Sequence, residues 1–360
     1  MAEIDSSFWD QKRVLVTGHT GFKGGWLCLI LQLLNSKIFG ISLDPPTNPN
    51  LYEVAQIANG IESFRADVRD LVRLKKLLAL TKPEIVFHMA AQPLVRASYL
   101  DPVETYSTNV MGTVALLEAC RQTESVKTIV VITSDKCYEN REWVWGYRES
   151  DSMGGYDPYS SSKGCTELVS HAYWSSFFSD PKTGGPALAT ARAGNVIGGG
   201  DWAHDRLLPD ILKAFREGRA AKIRNPNSVR PWQHVLDPLR GYVMLAQHLS
   251  DRPCTKSEGW NFGPNPNEES SVESVAQKVV DRWGGGVRLD LRGASDQVHE
   301  AATLRLDISK AKSILGWKPK ISLEYAIELT VAWEKSRLEG KSMRDYSVKQ
   351  IKEYLGDSFK

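Results

Sequence analysis

The sequence predicts an α/β fold: a doubly wound parallel sheet with a smaller C-terminal α/β lobe. Three observations carry that prediction. Short runs of β-branched residues alternate with amphipathic stretches through the first half of the chain. A glycine-spaced turn follows the first such run, and after Arg192 the texture changes to loops rich in Trp, Pro and Asn. Near-continuous apolar runs belong to strands buried on both faces, and helices between them make those strands parallel.

The elements follow in order. Arg13–Thr17 reads as the first strand, and the apolar-faced segment from about Phe22 to Leu34 as the helix after it. Further strands are expected at 38–43, 61–66, 85–89 and 128–133, with helical periodicity at 70–80, 102–120 and 158–178, and a sixth strand at 187–191. Beyond Gly198-Gly-Gly200 the second lobe carries helical patterns near 208–217, 238–249, 271–283 and 323–337, the third preceded by Ser270-Ser271 as capping residues. The expected division is 1–192 for the sheet domain, 193–340 mainly for the second lobe, and 341–360 for a charged, peripheral C-terminal segment.

Composition narrows the class. The 360 residues carry 45 Lys plus Arg against 43 Asp plus Glu, a net charge of +2, and are 42% apolar. Disordered, collagenous and coiled-coil classes are excluded. So balanced a charge gives no footprint for nucleic acid or an anionic membrane. The longest apolar stretch, Trp26 to Leu34, is interrupted by Gln32 and falls short of the roughly 20 residues of a membrane helix. The N-terminus is acidic where a leader peptide would be positive, so a cytoplasmic location is expected. Cys28, Cys120, Cys137, Cys165 and Cys254 are widely spaced, with no Cys-x-x-Cys pair and no ligand spacing to the histidines. Reduced structural thiols and no metal site follow.

Directly after the first strand stands Thr17-Gly18-His-Thr-Gly21-Phe-Lys-Gly24, glycines at three-residue intervals opening a helix. Glycine lets the backbone turn tightly and approach a pyrophosphate lying on the helix N-terminus. The spacing alone is equally that of an ordinary strand-to-helix turn. Asp44, 20 residues after Gly24 at the end of the second strand, adds a carboxylate suited to both ribose hydroxyls. It would repel a 2′-phosphate, and no arginine lies in the 42–50 segment, so NAD is expected rather than NADP. Asp67-Val68, ending the third strand, suits the adenine edge or the start of the next helix.

Tyr159-Ser-Ser-Ser-Lys163 places a phenol and an ammonium at i and i+4 on one helix face. The cation favours phenolate, so Lys163 is expected to lower the Tyr159 pKa and make it a base toward a substrate hydroxyl.

With these two motifs, the sequence resembles the extended short-chain dehydrogenase/reductase family of Rossmann-fold enzymes, and within it the nucleotide-sugar 4,6-dehydratases. The other segments that carry the resemblance are His88-Met-Ala-Ala-Gln92 with Arg96, Thr108-Asn-Val-Met-Gly-Thr113, Ser134-Asp135, Arg192-Ala-Gly-Asn195 and Arg230-Pro-Trp-Gln-His-Val-Leu-Asp237. The resemblance implies that NAD is held by Gly18, Thr20, Gly21, Phe22, Lys23 and Gly24, by Asp44, Asp67 and Val68, and by Ala90, Ala91, Gln92, Asn109, Thr133, Tyr159 and Lys163. It implies that Ser134, Asp135 and Lys136 join Tyr159 and Lys163 in catalysis, and that Arg96, Ser134, Asn195, Arg206, Arg230 and His234 bind the sugar nucleotide. A homodimer through helices 102–120 and 158–178 is also implied, although their apolar faces would serve equally to cover the sheet.

One departure narrows the substrate. Relatives acting on dTDP-glucose or GDP-mannose carry an acidic residue after the position of Asp135, whereas this chain has Ser134-Asp135-Lys136-Cys137-Tyr138. That run is similar to the branch acting on CDP-glucose; by residue type alone Lys136 is a solvated loop charge. The implied chemistry is a borrowed oxidation. Tyr159 takes the C4 hydroxyl proton as hydride passes to NAD, Lys136 takes the C5 proton and Asp135 protonates the departing C6 hydroxyl. Hydride then returns to C6 as C5 is reprotonated, leaving a 4-keto-6-deoxy sugar, a precursor for deoxysugars of cell-surface polysaccharides such as O-antigen. Arg230 beside Pro231-Trp232 offers a bidentate diphosphate donor next to an aromatic surface, or an arginine merely packed on a tryptophan. Two other readings stand beside this one: another nucleotide-sugar dehydratase or 4-epimerase, which the Asp135-Lys136 pair disfavours, and a non-catalytic NAD-binding regulator, which an intact Tyr159 and Lys163 disfavour.

Overall fold

The computed structural model describes residues 3–180, 185–251, 257–265, 270–291 and 303–356. Seven strands form one sheet: β1 (Arg13–Thr17), β2 (Lys37–Ser42), β3 (Ile61–Arg65), β4 (Ile85–His88), β5 (Thr128–Ile132), β6 (Ala187–Ala193) and β7 (Glu258–Phe262). Their order is β7-β6-β5-β4-β1-β2-β3, every neighbouring pair parallel. Both faces are buried. Val14 and Val16 of β1 pack into the core on one side and Leu15 into the core on the other, as the two-residue side-chain period requires. The strand order reverses between β1 and β4, and in this fold class ligands lie beyond the carboxyl ends of the strands at such a point. This is the Rossmann-type doubly wound sheet expected from the sequence.

β7 was not expected. Glu-Gly-Trp-Asn-Phe offers apolar residues only at Trp260 and Phe262, yet it pairs with β6 at the edge of the sheet. The chain thus returns to the sheet after residue 193. Around that return, the second lobe is built on two-residue ladders: Val196–Ile197 with Gln233–His234, and Val229–Arg230 with Ser270–Ser271.

Helices cover the sheet. α1 (Phe22–Leu33) is buried along Gly24–Leu31 and tied to the second lobe by Trp26 Nε1 donating to the Gly199 carbonyl at 2.9 Å. α2 (Leu71–Thr81) is capped by Asp70, which accepts from the Arg73 amide at 2.9 Å. The helix expected over 102–120 is α3 (Pro102–Tyr106), a π turn at Ser107–Met111, then α4 (Gly112–Arg121). The π turn aims Asn109 inward, and such turns recur at functional sites. α5 (Pro158–Tyr173) follows, with Asp157 capping the Ser160 amide and Pro158 in its first turn. In the rest of the chain come α6 (Leu207–Arg216), α7 (Leu236–Asp251), α8 (Val272–Trp283), α9 (Leu323–Leu338) and α10 (Met343–Leu355). α10 lies in the segment expected to be peripheral from its charge. One of its faces is nevertheless buried through Met343, Ile351 and Leu355, and Ser347 accepts from Trp333 Nε1 at 2.9 Å. Among the described residues, no helix is long and apolar enough to cross a membrane and no cluster of ligand side chains could hold a metal ion. Cys28, Cys120, Cys137 and Cys165 are thiols; Cys254 lies outside the described residues.

Candidate active site

The glycine turn sits at the carboxyl end of β1. Gly18 has φ +76°, and a Cβ there would lie 2.8 Å from the Ala90 amide nitrogen; one on Gly24 would lie 2.2 Å from the Gly18 carbonyl oxygen. The turn therefore exists only without side chains, and it leaves the N-terminal amides of α1 facing the crevice, a shape suited to a diphosphate. Thr17 fastens it to β4. Its Oγ1 accepts from the Met89 and Ala90 amides at 3.1 Å each and donates to His88 Nδ1 at 2.8 Å, while His88 Nε2 lies 3.0 Å from Thr113 Oγ1. Thr113 spends its own proton on the Asn109 carbonyl, so His88 carries its proton on Nε2. Burial, with Lys163 nearby, pushes the His88 pKa down to about 3, and the ring is neutral. Thr20 Oγ1 pairs with Ser42 and donates to the Leu43 carbonyl, tying the turn to the end of β2.

At the outer rim, Asp44 is 88% exposed and receives Arg65 Nε at 2.9 Å. No arginine is near it along the chain, but the β2–β3 register aligns Ser42 with Arg65 and brings one across. Asp67 is engaged by Arg69, which also reaches Glu104 at 2.6 Å; the cap of the next helix is Asp70, not Asp67. Val68 packs against Gly112, where a Cβ would meet its Cγ1 at 2.6 Å. Asn109 and Gln92 face each other: the Gln92 amide donates to Asn109 Oδ1 at 2.8 Å, and Asn109 Nδ2 donates to the Gln92 carbonyl and to Ser162 Oγ. Asn109 is thus spent on joining the loop after β4, which holds Ala90 and Ala91, to α5.

Across the crevice, β5 ends at Ile132, Thr133 follows, and a 3₁₀ turn, Asp135–Cys137, is capped by Ser134, whose Oγ accepts from the Lys136 amide at 3.2 Å. Ser134 donates to Asp135 Oδ1 at 2.9 Å and lies beside the Tyr159 phenol. Asp135 is buried with its Oδ2 unpartnered, and burial raises its pKa against the opposing pull of Lys136 and Ser134. Lys136 is half-buried on the same cleft wall. Tyr159 and Lys163 are both buried on α5, one turn apart, and Lys163 Nζ donates to the Ile132 carbonyl at 3.2 Å. Burial pushes Lys163 down to about 8. The expected lowering of Tyr159 does not hold in the free protein: burial pushes the phenol up to about 12, with Ser134 pulling it down and Asp135 pushing it up.

Asp135, Lys136 and Tyr159 open into a cleft shared with the second lobe, which Lys23, Arg96, Asn195, Arg206 and Arg230 also line. Arg206 is held by Asp201 at 2.9 Å, and Arg96 stands 4.0 Å from Asp205. Arg230 is buried, its guanidinium donating to the Val229 carbonyl at 3.0 Å. His234 corrects the sequence expectation. Its ring has no exposed surface, packs edge-on against Trp26 and is pushed down to about 3 by burial, so it is a neutral core residue away from the cleft. Trp232, read beside Arg230 as an aromatic surface, is on the cleft wall, and so are Asp201 and Asp205, which the sequence marked only as part of a loop region rich in Trp, Pro and Asn. Lys23, in the first turn of α1, was expected for the dinucleotide. It stands on the cleft wall, where Lys163, Arg206, Asp135 and Asp201 all act on it, and burial with the two cations pushes it down to about 7.

A glycine cradle at the switch point, with Tyr159 opening on the cleft beside Asp135 and Lys136 and Lys163 buried one turn behind it, defines a dehydrogenase-type site. Residues 15–330 match the model of the GDP-mannose 4,6 dehydratase family, and the chain belongs to that family. It is 52% identical over 354 residues to the CDP-glucose 4,6-dehydratase of Salmonella typhimurium, covering 98% of each. Among solved structures it is similar to MoeE5 in complex with UDP-glucose and NAD, with TM-score 0.76, 25% identity and coverage of 90% of this chain and 99% of that one. It shares its fold with the dTDP-glucose 4,6-dehydratase of Bacillus anthracis in complex with NAD, with TM-score 0.75, 22% identity and coverage of 91% and 97%.

Proposed function

We propose that this chain is a CDP-glucose 4,6-dehydratase, converting CDP-glucose to CDP-4-keto-6-deoxyglucose with NAD as a cofactor restored in each turnover. The observation that carries the reading is the Asp135-Lys136 pair set against Tyr159 in one cleft, in a chain 52% identical to a CDP-glucose 4,6-dehydratase along its whole length.

The residues fit the cofactor: the Gly18 and Gly24 backbone leaves room for a diphosphate at the α1 N-terminus, and Asp44 presents an exposed carboxylate for the ribose. When bound, NAD supplies a hydride acceptor and a positively charged ring. Tyr159, as phenolate, accepts the proton of the C4 hydroxyl, with Ser134 beside its phenol oxygen and Lys163 stabilising the phenolate. A ketone at C4 makes the C5 proton acidic, and Lys136 removes it. Asp135 delivers a proton to the leaving C6 hydroxyl; a buried carboxyl with a raised pKa and a vacant Oδ2 suits that role. Arg206 and Arg230 grip the diphosphate, with Arg96 and Asn195 at the cleft wall.

The proposal extends to a cytoplasmic homodimer supplying deoxysugar precursors. What supports the dimer is exposed apolar surface on the implied pair of helices: Val103 and Met111 on the α3–α4 run, Leu168 on α5 and Phe177 just after it. Sedimentation at micromolar concentration tests it, and a stable monomer overturns it. The enzyme assignment is tested by incubating the protein separately with CDP-, dTDP-, UDP- and GDP-glucose and catalytic NAD, following loss of water by mass spectrometry. Dehydration of CDP-glucose alone is expected; an isomeric product without water loss would mark an epimerase.

A further inference from the structure

Beneath the cleft lies a buried ion pair that the chemistry above does not use. Glu167 stands one turn beyond Lys163 on α5, so that Tyr159, Lys163 and Glu167 share a helix face. Arg192 of β6 meets the Glu167 carboxylate with two parallel bonds, Nε to Oε1 and Nη2 to Oε2, each 2.8 Å, and neither side chain is more than 6% exposed. Thr133 and Thr190 donate to the same carboxylate at 2.5 Å each. Arg192 Nη1 in turn donates to the Tyr138 phenol oxygen at 2.7 Å, and Tyr138 donates to Asn261 of β7 at 2.7 Å. A buried pair contributes less to stability than apolar residues of the same volume often would, because both charges lose their water. What this pair does hold is specific: Thr133 and Tyr138 are the residues immediately before and after Ser134–Cys137, the segment that carries Asp135 and Lys136.

We propose that Glu167, paired with Arg192, is a positioning residue of the reaction, which clamps the Ser134–Cys137 segment from both ends and supplies the anion that keeps the neighbouring Lys163 charged. The inference rests on the roles given above to Tyr159 and Lys163. The groups facing Lys163 are Tyr159 and Glu167 on its own helix, Cys137 from the turn after β5, Lys23 from α1 and His88 from β4. His88 is neutral, and burial raises the Cys137 thiol well above its ordinary pKa, so it too is uncharged. Lys23 opposes the Lys163 charge. Glu167 is left as the charged group that holds it, against a burial that brings the ammonium down to about 8. Four hydrogen bonds from Thr133, Thr190 and Arg192 keep Glu167 itself ionised, its pKa below the ordinary carboxylate value.

The test compares the wild type with Glu167→Gln and with the double variant Glu167→Gln/Arg192→Met, which removes both charges so that neither is stranded. Lys163 must be charged to stabilise the phenolate, so turnover is lost as pH rises through its pKa. Removing Glu167 moves that loss to lower pH, by about one unit, which is about tenfold in kcat above both pKa values. KM for CDP-glucose is expected to stay within about twofold, since neither residue touches the substrate. In parallel, the Lys163 ammonium is titrated by NMR on ¹⁵N-lysine protein, assigned with Lys163→Arg, and the same downward shift is expected. A folded double variant with an unmoved alkaline limb and an unmoved Lys163 titration overturns the proposal. If the wild type does not dehydrate CDP-glucose, the functional reading fails, and the NMR titration still decides this inference.

Discussion

Replacing Asp135 by Asn separates the acid from everything else in the cleft. The side chains are nearly isosteric, and Oδ1 keeps its bond from Ser134 Oγ at 2.9 Å. The new amide nitrogen takes the place of Oδ2, which has no partner and faces Gly194, where even a Cβ would stand 3.1 Å away. The backbone has no reason to move; only the transferable proton is lost. General-acid catalysis is worth about 10²–10⁴ in rate, so turnover to dehydrated product should fall by about that factor. C4 oxidation should survive, because the Asp135 charge raises the Tyr159 pKa and its removal does not handicap the phenol. The assay is loss of water by mass spectrometry alongside absorbance at about 340 nm for bound reduced cofactor. Stability moves the other way. The folded-state pKa of Asp135 is raised, so the carboxyl costs stability increasingly as pH rises from its unfolded value through the folded one. At neutral pH the Asn variant should therefore be the more stable, on the order of 0.5–2 kcal/mol, read as a higher Tm. Turnover within threefold of wild type, or a lowered Tm, would refute this account of Asp135.

Lys136→Ala should abolish exchange of the C5 proton with solvent deuterium while leaving reduction of bound NAD intact; full turnover would remove it as the base. Arg230→Ala should raise KM for CDP-glucose by tenfold or more with a smaller change in kcat, the loss expected for a charge-assisted diphosphate contact, and an unchanged KM would take it out of the site. Gly24→Ala puts a Cβ 2.2 Å from the Gly18 carbonyl, so the cradle must shift and NAD affinity by calorimetry should fall by up to about 10²-fold. His19, His88 and His234 are buried and pushed down to about 4, 3 and 3, so they are uncharged in the folded chain. A histidine depressed on folding contributes stability above its unfolded pKa near 6.5 and loses it as pH falls toward the folded value. Each should therefore cost up to about 1.4 kcal/mol per pH unit below 6.5, and Tm measured from pH 7 to 4 should drop steeply.

Five of the six strands legible in the sequence, β1, β2, β4, β5 and β6, are buried along most of their length, where an apolar run has no other use; β3 (Ile61–Arg65), at the edge of the sheet, is exposed or half-buried at every position. β7, with apolar residues only at Trp260 and Phe262, escaped because its pairing with β6 depends on chain returning from the second lobe. The π turn at Ser107–Met111 left no mark on the helical period around it; its cause is tertiary, the reach of Asn109 to Gln92 and Ser162. Within the site, the residues that the structure gathers around one crevice and that a local motif carries are the glycine turn, Ser134–Lys136, Tyr159 and Lys163. Where a role hung on register or on which way a short ladder faces, the sequence was silent. Arg65 reaches Asp44 only because β3 aligns with β2, and His234, two residues from Trp232 on the cleft wall, turns into the core against Trp26.

The site also has an electrostatic logic that no motif spells out. In water at neutral pH an aspartate is ionised and a lysine charged, and an acid that donates a proton needs the first of these reversed. Burial penalises both charged forms, so the same desolvation raises Asp135 and lowers Lys163 and Lys23. The cleft thereby pushes neighbouring groups of opposite sign toward neutrality, and small charges then decide which proton sits where. Glu167 pulls Lys163 back toward its charged form. Burial and two nearby cations push Lys23 down to about 7, where an incoming diphosphate would favour its charged form. Proton inventory in this site is therefore tied to what is bound in it, and substrate entry should be accompanied by uptake of protons from solution.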